Sequence, residues 1–249
     1  MSGIGRWLKW VLGMGGLIGC VWIESAISQY EGDIPPQPGD AAAGRRLFRN
    51  RDWTATGLTC IHCHADFNEK KTPDGYIRPG YSLFNSGYRT ELHTWNGEIL
   101  GSLREATSIC MIRWMTPRVE GATEGEAPEK HHLRQIMAYL RSDELVQEKK
   151  ARPVEPMWAK DLPSDRLLKV GEANLGQRVF RRSCIHCHLD DGSGPGPSLI
   201  RNGYSRYQIA KKIRGKDNPG LNGLVMPPFT RDRLSDRELI NVSSYIFQK

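Results

Sequence analysis

The chain has 249 residues, 26 of them glycine, and 39% of it is hydrophobic, a globular composition whose length suits one or two domains. A mean hydropathy of −0.52 excludes a protein of many membrane spans, and its aromatic and apolar runs exclude a wholly disordered one. The formal charge is +7, from 35 Lys+Arg against 28 Asp+Glu.

At the N-terminus Arg6 and Lys9 precede an uncharged stretch from Trp10 to Ile23. As a helix that stretch would span about 21 Å, short of a hydrocarbon core about 30 Å thick, which is the length of a signal-peptide apolar region. Leu17-Ile18-Gly19-Cys20 also resembles a bacterial lipobox, whose cysteine is acylated. An uncleaved anchor, with Trp7, Trp10 and Trp22 near the interfaces, is the third possibility. Residues 1–30 are therefore expected to be a signal peptide, a lipoprotein signal or a membrane anchor. Positive-inside orientation then puts the rest on the outer, periplasmic side of a bacterial inner membrane. Glu31 to Gly39, with Pro35, Pro36 and Pro38, reads as an extended tether.

An internal repeat divides the remainder into residues 31–150 and 151–249. Gly44-Arg45-Arg46-Leu47-Phe48 is echoed by Gly176-Gln177-Arg178-Val179-Phe180. Each is followed by one pentapeptide, Cys60-Ile61-His62-Cys63-His64 and then Cys184-Ile185-His186-Cys187-His188. C-x-x-C-H is the signature of covalent c-type haem attachment. Two thiols three positions apart on a helical turn reach the two vinyl groups of one porphyrin, and the next residue brings an imidazole under the iron. A zinc ribbon would use the cysteine pairs without a histidine after each, and a thioredoxin-like dithiol would want a βαβ setting that is not visible. Two covalent haems are expected, held by Cys60, Cys63, Cys184 and Cys187 with His64 and His188 on the irons. In the first half the sixth ligand has several candidates: Cys110, Met111, Met115, His93, His131 and His132. Each half closes with a helical stretch bearing a Tyr-aliphatic pair, Tyr139-Leu140 and Tyr245-Ile246. Between them, over about 142–170, charges mix with Pro153, Pro156 and Pro163 and periodicity fades, as in a linker. The last helix is signalled by a capping box, Ser235 with Glu238, and by Leu239, Val242 and Ile246.

The glycine-aromatic helix before each motif and the tyrosine-bearing helix after it resemble the class I cytochrome c fold. That resemblance implies an all-α protein of two tandem domains behind the N-terminal signal or anchor helix. It implies Met226, in Leu224-Val225-Met226-Pro227-Pro228, as thioether ligand to the haem on His188. It also gives Pro197, in Gly196-Pro197-Ser198-Leu199, the role of orienting the proximal imidazole through its carbonyl. The segment from Ser102 to Met115, with the helix His131 to Ser142, resembles the axial-cysteine region of dihaem thiosulfate dehydrogenases and related sulfur-oxidising cytochromes. There a Cys is followed three residues on by Arg and five on by Met, as Arg113 and Met115 follow Cys110. The resemblance implies Cys110 as thiolate ligand to the haem on His64, with Met115 the alternative. Those enzymes place an Arg shortly before the Cys, where this chain has Ala106 with Arg104 close by.

A thiolate stabilises ferric iron and lowers the potential, whereas a thioether raises it, so electrons should run from the first haem to the second. Residues 151–249 hold 17 Lys+Arg against 10 Asp+Glu, and residues 31–150 hold 16 against 17, so the positive charge lies in the second half. A basic face including Lys211, Lys212 and Arg214 suits a redox partner with an acidic docking surface, while the haems and the leader argue against nucleic acid. The expected function is a membrane-tethered periplasmic dihaem electron carrier, alone or as a subunit of a larger electron-transfer complex. The alternative is a thiosulfate dehydrogenase forming tetrathionate at the first haem, with Cys110 reactive and Arg104, Arg113 or Arg118 holding sulfur oxyanions.

Overall fold

Helix α1 (Ala41–Arg49) starts at Asp40, whose carboxylate accepts from Ala42 N at 2.8 Å, and buries Gly44 and Phe48. Those two residues face helix α4 (Lys130–Leu140). A Cβ on Gly44 would lie 2.0 Å from the Gln135 carbonyl oxygen and 2.7 Å from Tyr139 Cβ, so only glycine permits this crossing. Phe48 meets Tyr139 edge-on, with ring centroids 5.7 Å apart. The second half repeats the arrangement with helix α6 (Ala173–Ser183) against helix α8 (Asp236–Phe247). There a Gly176 Cβ would lie 2.0 Å from the Asn241 carbonyl oxygen, and Phe180 and Tyr245 have centroids 5.3 Å apart. Each crossing is also tied at the helix start: Asp40 N donates to the Gln135 side chain, and Glu172 N donates to Asn241 Oδ1 at 3.0 Å.

The computed structural model describes residues 39–94, 97–115, 130–151, 153–189, 191, 193–200, 203–216 and 226–249. The leader with Cys20, most of the proline tether, Arg118 and the side chain of His131 lie outside the described residues. Between α1 and α4 come the single turn α2 (Cys60–Cys63), a two-residue antiparallel ladder of β1 (Leu92–His93) with β2 (Ile99–Leu100), and helix α3 (Leu103–Cys110). Helix α3 is capped by Ser102, whose hydroxyl accepts from Glu105 N at 3.1 Å, and it continues as a π-helical turn, Met111–Met115. The second half adds α5 (Asp165–Lys169) and α7 (Arg206–Ile213). Among the described residues the expected all-α fold thus meets a helix-rich chain with one short strand pair. Helix α8 begins at Ser235 in the expected capping box, and Leu239, Val242 and Ile246 are buried.

Gly39–Lys249 forms one compact unit with two hydrophobic cores. The stretch expected to be a plain linker is packed instead: Leu145 is buried in the first core and Leu168, on α5, in the second. The first half also contributes a residue to the second core. Ile77, from the first half, is buried among the side chains of the second core, and its N–H donates to the Arg182 carbonyl at 2.8 Å. Among the described residues no helix is long and apolar enough to cross a membrane.

Candidate functional site

Directly after α6 the chain folds Cys184 to His188 into a turn in which His188 N donates to the Cys184 carbonyl at 2.9 Å. Gly196 N then donates to the Cys187 carbonyl at 2.7 Å, and Pro197 O lies 2.8 Å from His188 Nδ1. A carbonyl can only accept, so Nδ1 carries the proton and Nε2 keeps its lone pair. Burial lowers the His188 pKa against the opposing pull of the Pro197 carbonyl, and the ring stays neutral. A Cβ on Gly196 would press to 2.7 Å of His188 Cε1, so glycine is what lets the loop lie flat on the ring. A neutral imidazole with its far nitrogen free is the donor that iron requires.

The first motif makes the same contacts. His64 N donates to the Cys60 carbonyl at 2.8 Å, Gly80 N to the Cys63 carbonyl at 2.9 Å, and His64 Nδ1 to the Tyr81 carbonyl at 2.7 Å. A Gly80 Cβ would come within 2.2 Å of His64 Cε1. Burial is again the larger cause of a lowered His64 pKa. Tyr81 is therefore the counterpart of Pro197, a role the sequence reading missed. The signal was present, since Pro79-Gly80-Tyr81-Ser82-Leu83 parallels Pro195-Gly196-Pro197-Ser198-Leu199. It was obscured because the carbonyl lies 17 positions after the histidine in the first half and 9 in the second.

Cys60, Cys63 and His64 line a cavity of about 200 Å³ together with residues of α3 and the π-helical turn. In an α-helix a residue five positions on points about 140° away. The wider π turn brings both Cys110 and Met115 to the cavity, so both sulfur donors line it, together with Met111. Burial pushes the thiol of Cys110 up to about 11 and that of Cys60 up to about 12. Burial also raises the Cys184 thiol to about 12 and that of Cys187 to about 11. A thiolate in such surroundings needs a cation beside it, which a bound metal would provide. Arg104 and Arg113 do not line the cavity, whereas Arg89 and His93 do. His132 lies tilted against Trp53, with centroids 5.2 Å apart, and does not line the cavity. In the second half Met226 packs partly buried against the core.

The residues fit haem. Among the described residues Arg89 Nε and both ring nitrogens of His93 are buried at this cavity without a hydrogen-bond partner, His93 Nε2 standing 3.8 Å from the Glu91 carboxylate, and such donors suit the anionic propionates of a porphyrin. The walls are otherwise mainly apolar. The packed linker contributes Val154, Pro156 and Trp158, and the second half contributes Pro227, Pro228 and Thr230. Bound there, haem iron would supply one-electron chemistry between its ferric and ferrous states.

One expected member of the basic face is elsewhere. Arg214 is buried: its Nη1 donates to the Phe229 carbonyl at 2.8 Å and its Nη2 to Asp236 at 2.9 Å. It closes the loop before α8 and is not available to a partner. Lys212 remains near the surface, its ammonium 4.8 Å from the Tyr204 ring centroid.

Residues 171–246 match the family model described as cytochrome c oxidase, cbb3-type, subunit III. No curated protein matches the chain. The match covers α6, the Cys184–His188 turn, Met226 and nearly all of α8, so it spans the helix crossing and the second site together. Residues 171–246 are thus a cytochrome c domain, which implies a covalently attached c-type haem and a part in electron transfer.

Proposed function

We propose that the chain is a dihaem c-type cytochrome of two tandem cytochrome c domains, passing electrons from a haem on His64 to a haem on His188. The observation that carries this reading is the repetition of one set of contacts at both pentapeptides. In each, the histidine N–H returns to the first cysteine, a glycine N–H binds the second cysteine, and a loop carbonyl holds Nδ1. Cys60 and Cys63 would hold one porphyrin, and Cys184 and Cys187 the other. Cys110 is the proposed sixth donor at the first site, with Met115 its alternative, and Met226 the donor at the second. The leader supports a periplasmic position tethered to the inner membrane, and the excess charge of residues 151–249 supports an acidic partner.

The test is a redox titration of the holoprotein followed by near-infrared magnetic circular dichroism. Two one-electron transitions are expected, the lower carrying a thiolate-type signature that Cys110→Ala removes and Met115→Ala leaves intact. One transition only would refute the dihaem reading. Loss of a second methionine-type signal in Met115→Ala would assign that residue as the ligand instead.

Cys110 on the cavity wall supports a second reading, oxidation of thiosulfate to tetrathionate at the first site. Each tetrathionate requires two thiosulfate ions and releases two electrons, one to each haem. Arg89 rather than Arg104 or Arg113 would be the arginine beside such an anion. Thiosulfate that reduces neither haem would leave the carrier alone.

A further inference from the structure

Tyr81 joins the first site to the segment that follows Met226. Its carbonyl oxygen accepts from His64 Nδ1 at 2.7 Å, and its hydroxyl donates to Asp232. Asp232 lies shortly after Met226, on the segment that leads into α8, and its other oxygen accepts from Met157 N at 3.1 Å. Arg233, the next residue, reaches back into the first half. Its Nη1 and Nη2 donate to Glu69 at 3.0 and 2.9 Å, and its Nε donates to the Arg78 carbonyl at 2.9 Å. Arg78 is itself buried, and its Nε donates to the Ile61 carbonyl inside the first cysteine turn at 3.1 Å. The loop that positions His64 is thus fastened to the segment that carries Met226. Pro227 and Pro228, directly after Met226, also stand on the wall of the first cavity.

We propose that Tyr81 is a positioning residue that couples the two redox sites, transmitting a change at the Met226 segment through Asp232 to the hydrogen bond on His64. The proposal rests on the dihaem reading. The physical link is ligand basicity: a firm bond from Nδ1–H to a carbonyl makes Nε2 a stronger donor, which favours ferric iron and lowers the potential. The Asp232 bond fixes the position of the Tyr81 carbonyl, so loosening it weakens the donor. When one electron leaves the reduced site at His64 and arrives at the oxidised site at His188, no covalent bond forms or breaks. The coupling acts only on the driving force. The first half can take this role because its proximal loop is the longer of the two; the equivalent carbonyl in the second half belongs to Pro197, which has no side-chain donor.

The test is a double-mutant cycle on the holoprotein, read as two midpoint potentials with magnetic circular dichroism to assign them. The variants are Tyr81→Phe, Met226→His and both together, with haem content measured for each. Tyr81→Phe keeps the ring and the carbonyl, and should raise the potential of the His64 site while both low-spin signatures persist. Met226→His should shift the His64 site as well as its own in the wild-type background, and that remote shift should be lost when Tyr81→Phe is present. Asp232→Asn, with a weaker neutral acceptor, should move the His64 potential in the same direction by less. An equal remote shift in both backgrounds would mean direct electrostatics between the sites and overturn the proposal. So would opposite shifts from Tyr81→Phe and Asp232→Asn. A single haem per chain would overturn the dihaem reading and the proposal with it, whereas two haems without the coupling would overturn the proposal alone.

Discussion

Replacing Gly176 by alanine places a methyl group where the structure has a carbonyl. The new Cβ would lie 2.0 Å from the Asn241 carbonyl oxygen and 2.8 Å from Tyr245 Cβ. Ordinary contact needs at least about 3 Å, so α6 and α8 must part by roughly 1 Å. A gap of that size forfeits a quarter to a half of the dispersion energy across it. The crossing is built from Val179 and Phe180 on one side and Val242, Tyr245 and Ile246 on the other. With roughly 60 atom pairs across the crossing, as many as one large buried side chain makes, losing about a third of them at about 0.1–0.2 kcal/mol each costs about 3 kcal/mol, near the upper end of overpacking costs. For a unit of this size that lowers Tm by roughly 6–12 °C. Urea denaturation of the holoprotein measures it. Gly101→Ala is the control, because nothing lies within 4 Å of a Cβ there, and it should be neutral or slightly stabilising. If Gly176→Ala falls within about 0.5 kcal/mol of wild type, close approach at the crossing does not explain the glycine.

The corrected position of Arg214 separates two roles in the basic half. Arg214→Gln should destabilise by about 2–3 kcal/mol, because carbonyls and Asp236 lose their buried partner. Lys211→Glu with Lys212→Glu should cost less, about 1–2 kcal/mol from the helix C-terminus and the Tyr204 ring, and slow electron delivery to an acidic partner. That defect should fade as salt shortens the Debye length below about 10 Å. Burial alone would raise the Asp232 carboxyl, but the Tyr81 hydroxyl and the Met157 N–H hold it below the usual carboxylate range. A depressed pKa stabilises the fold above the unfolded value of about 3.9 and loses that effect as pH falls through the folded value. The stability difference between wild type and Asp232→Asn should therefore be full at pH 7 and vanish in strong acid, as urea titrations at the two extremes would measure.

The parts of the fold that follow from short-range rules were legible. Ser235 with Glu238 announced the start of α8, and the glycine-aromatic repeat announced both crossings, because capping and close packing are local demands on residue type. Contacts between distant segments were not. Ile77 is a single isoleucine in a polar stretch, and nothing near it in sequence says that it belongs to the second core. Leu145 and Leu168 were hidden among the charges and prolines of a stretch whose periodicity fades, although each is fully buried. Arg214 read as surface charge because its partners, Asp236 and the Phe229 carbonyl, are brought to it only by the fold. The cysteine turns were the clearest signal of the site, while Tyr81 was missed because its carbonyl, not its side chain, contacts His64.

Intact-mass spectrometry of the denatured holoprotein decides whether both pentapeptides carry haem. Thioether attachment survives denaturation, so the chain should carry the mass of two haems, and Cys184→Ala with Cys187→Ala should carry one. A wild-type chain with the mass of a single haem would contradict the dihaem reading and leave the Cys60–His64 turn without its cofactor.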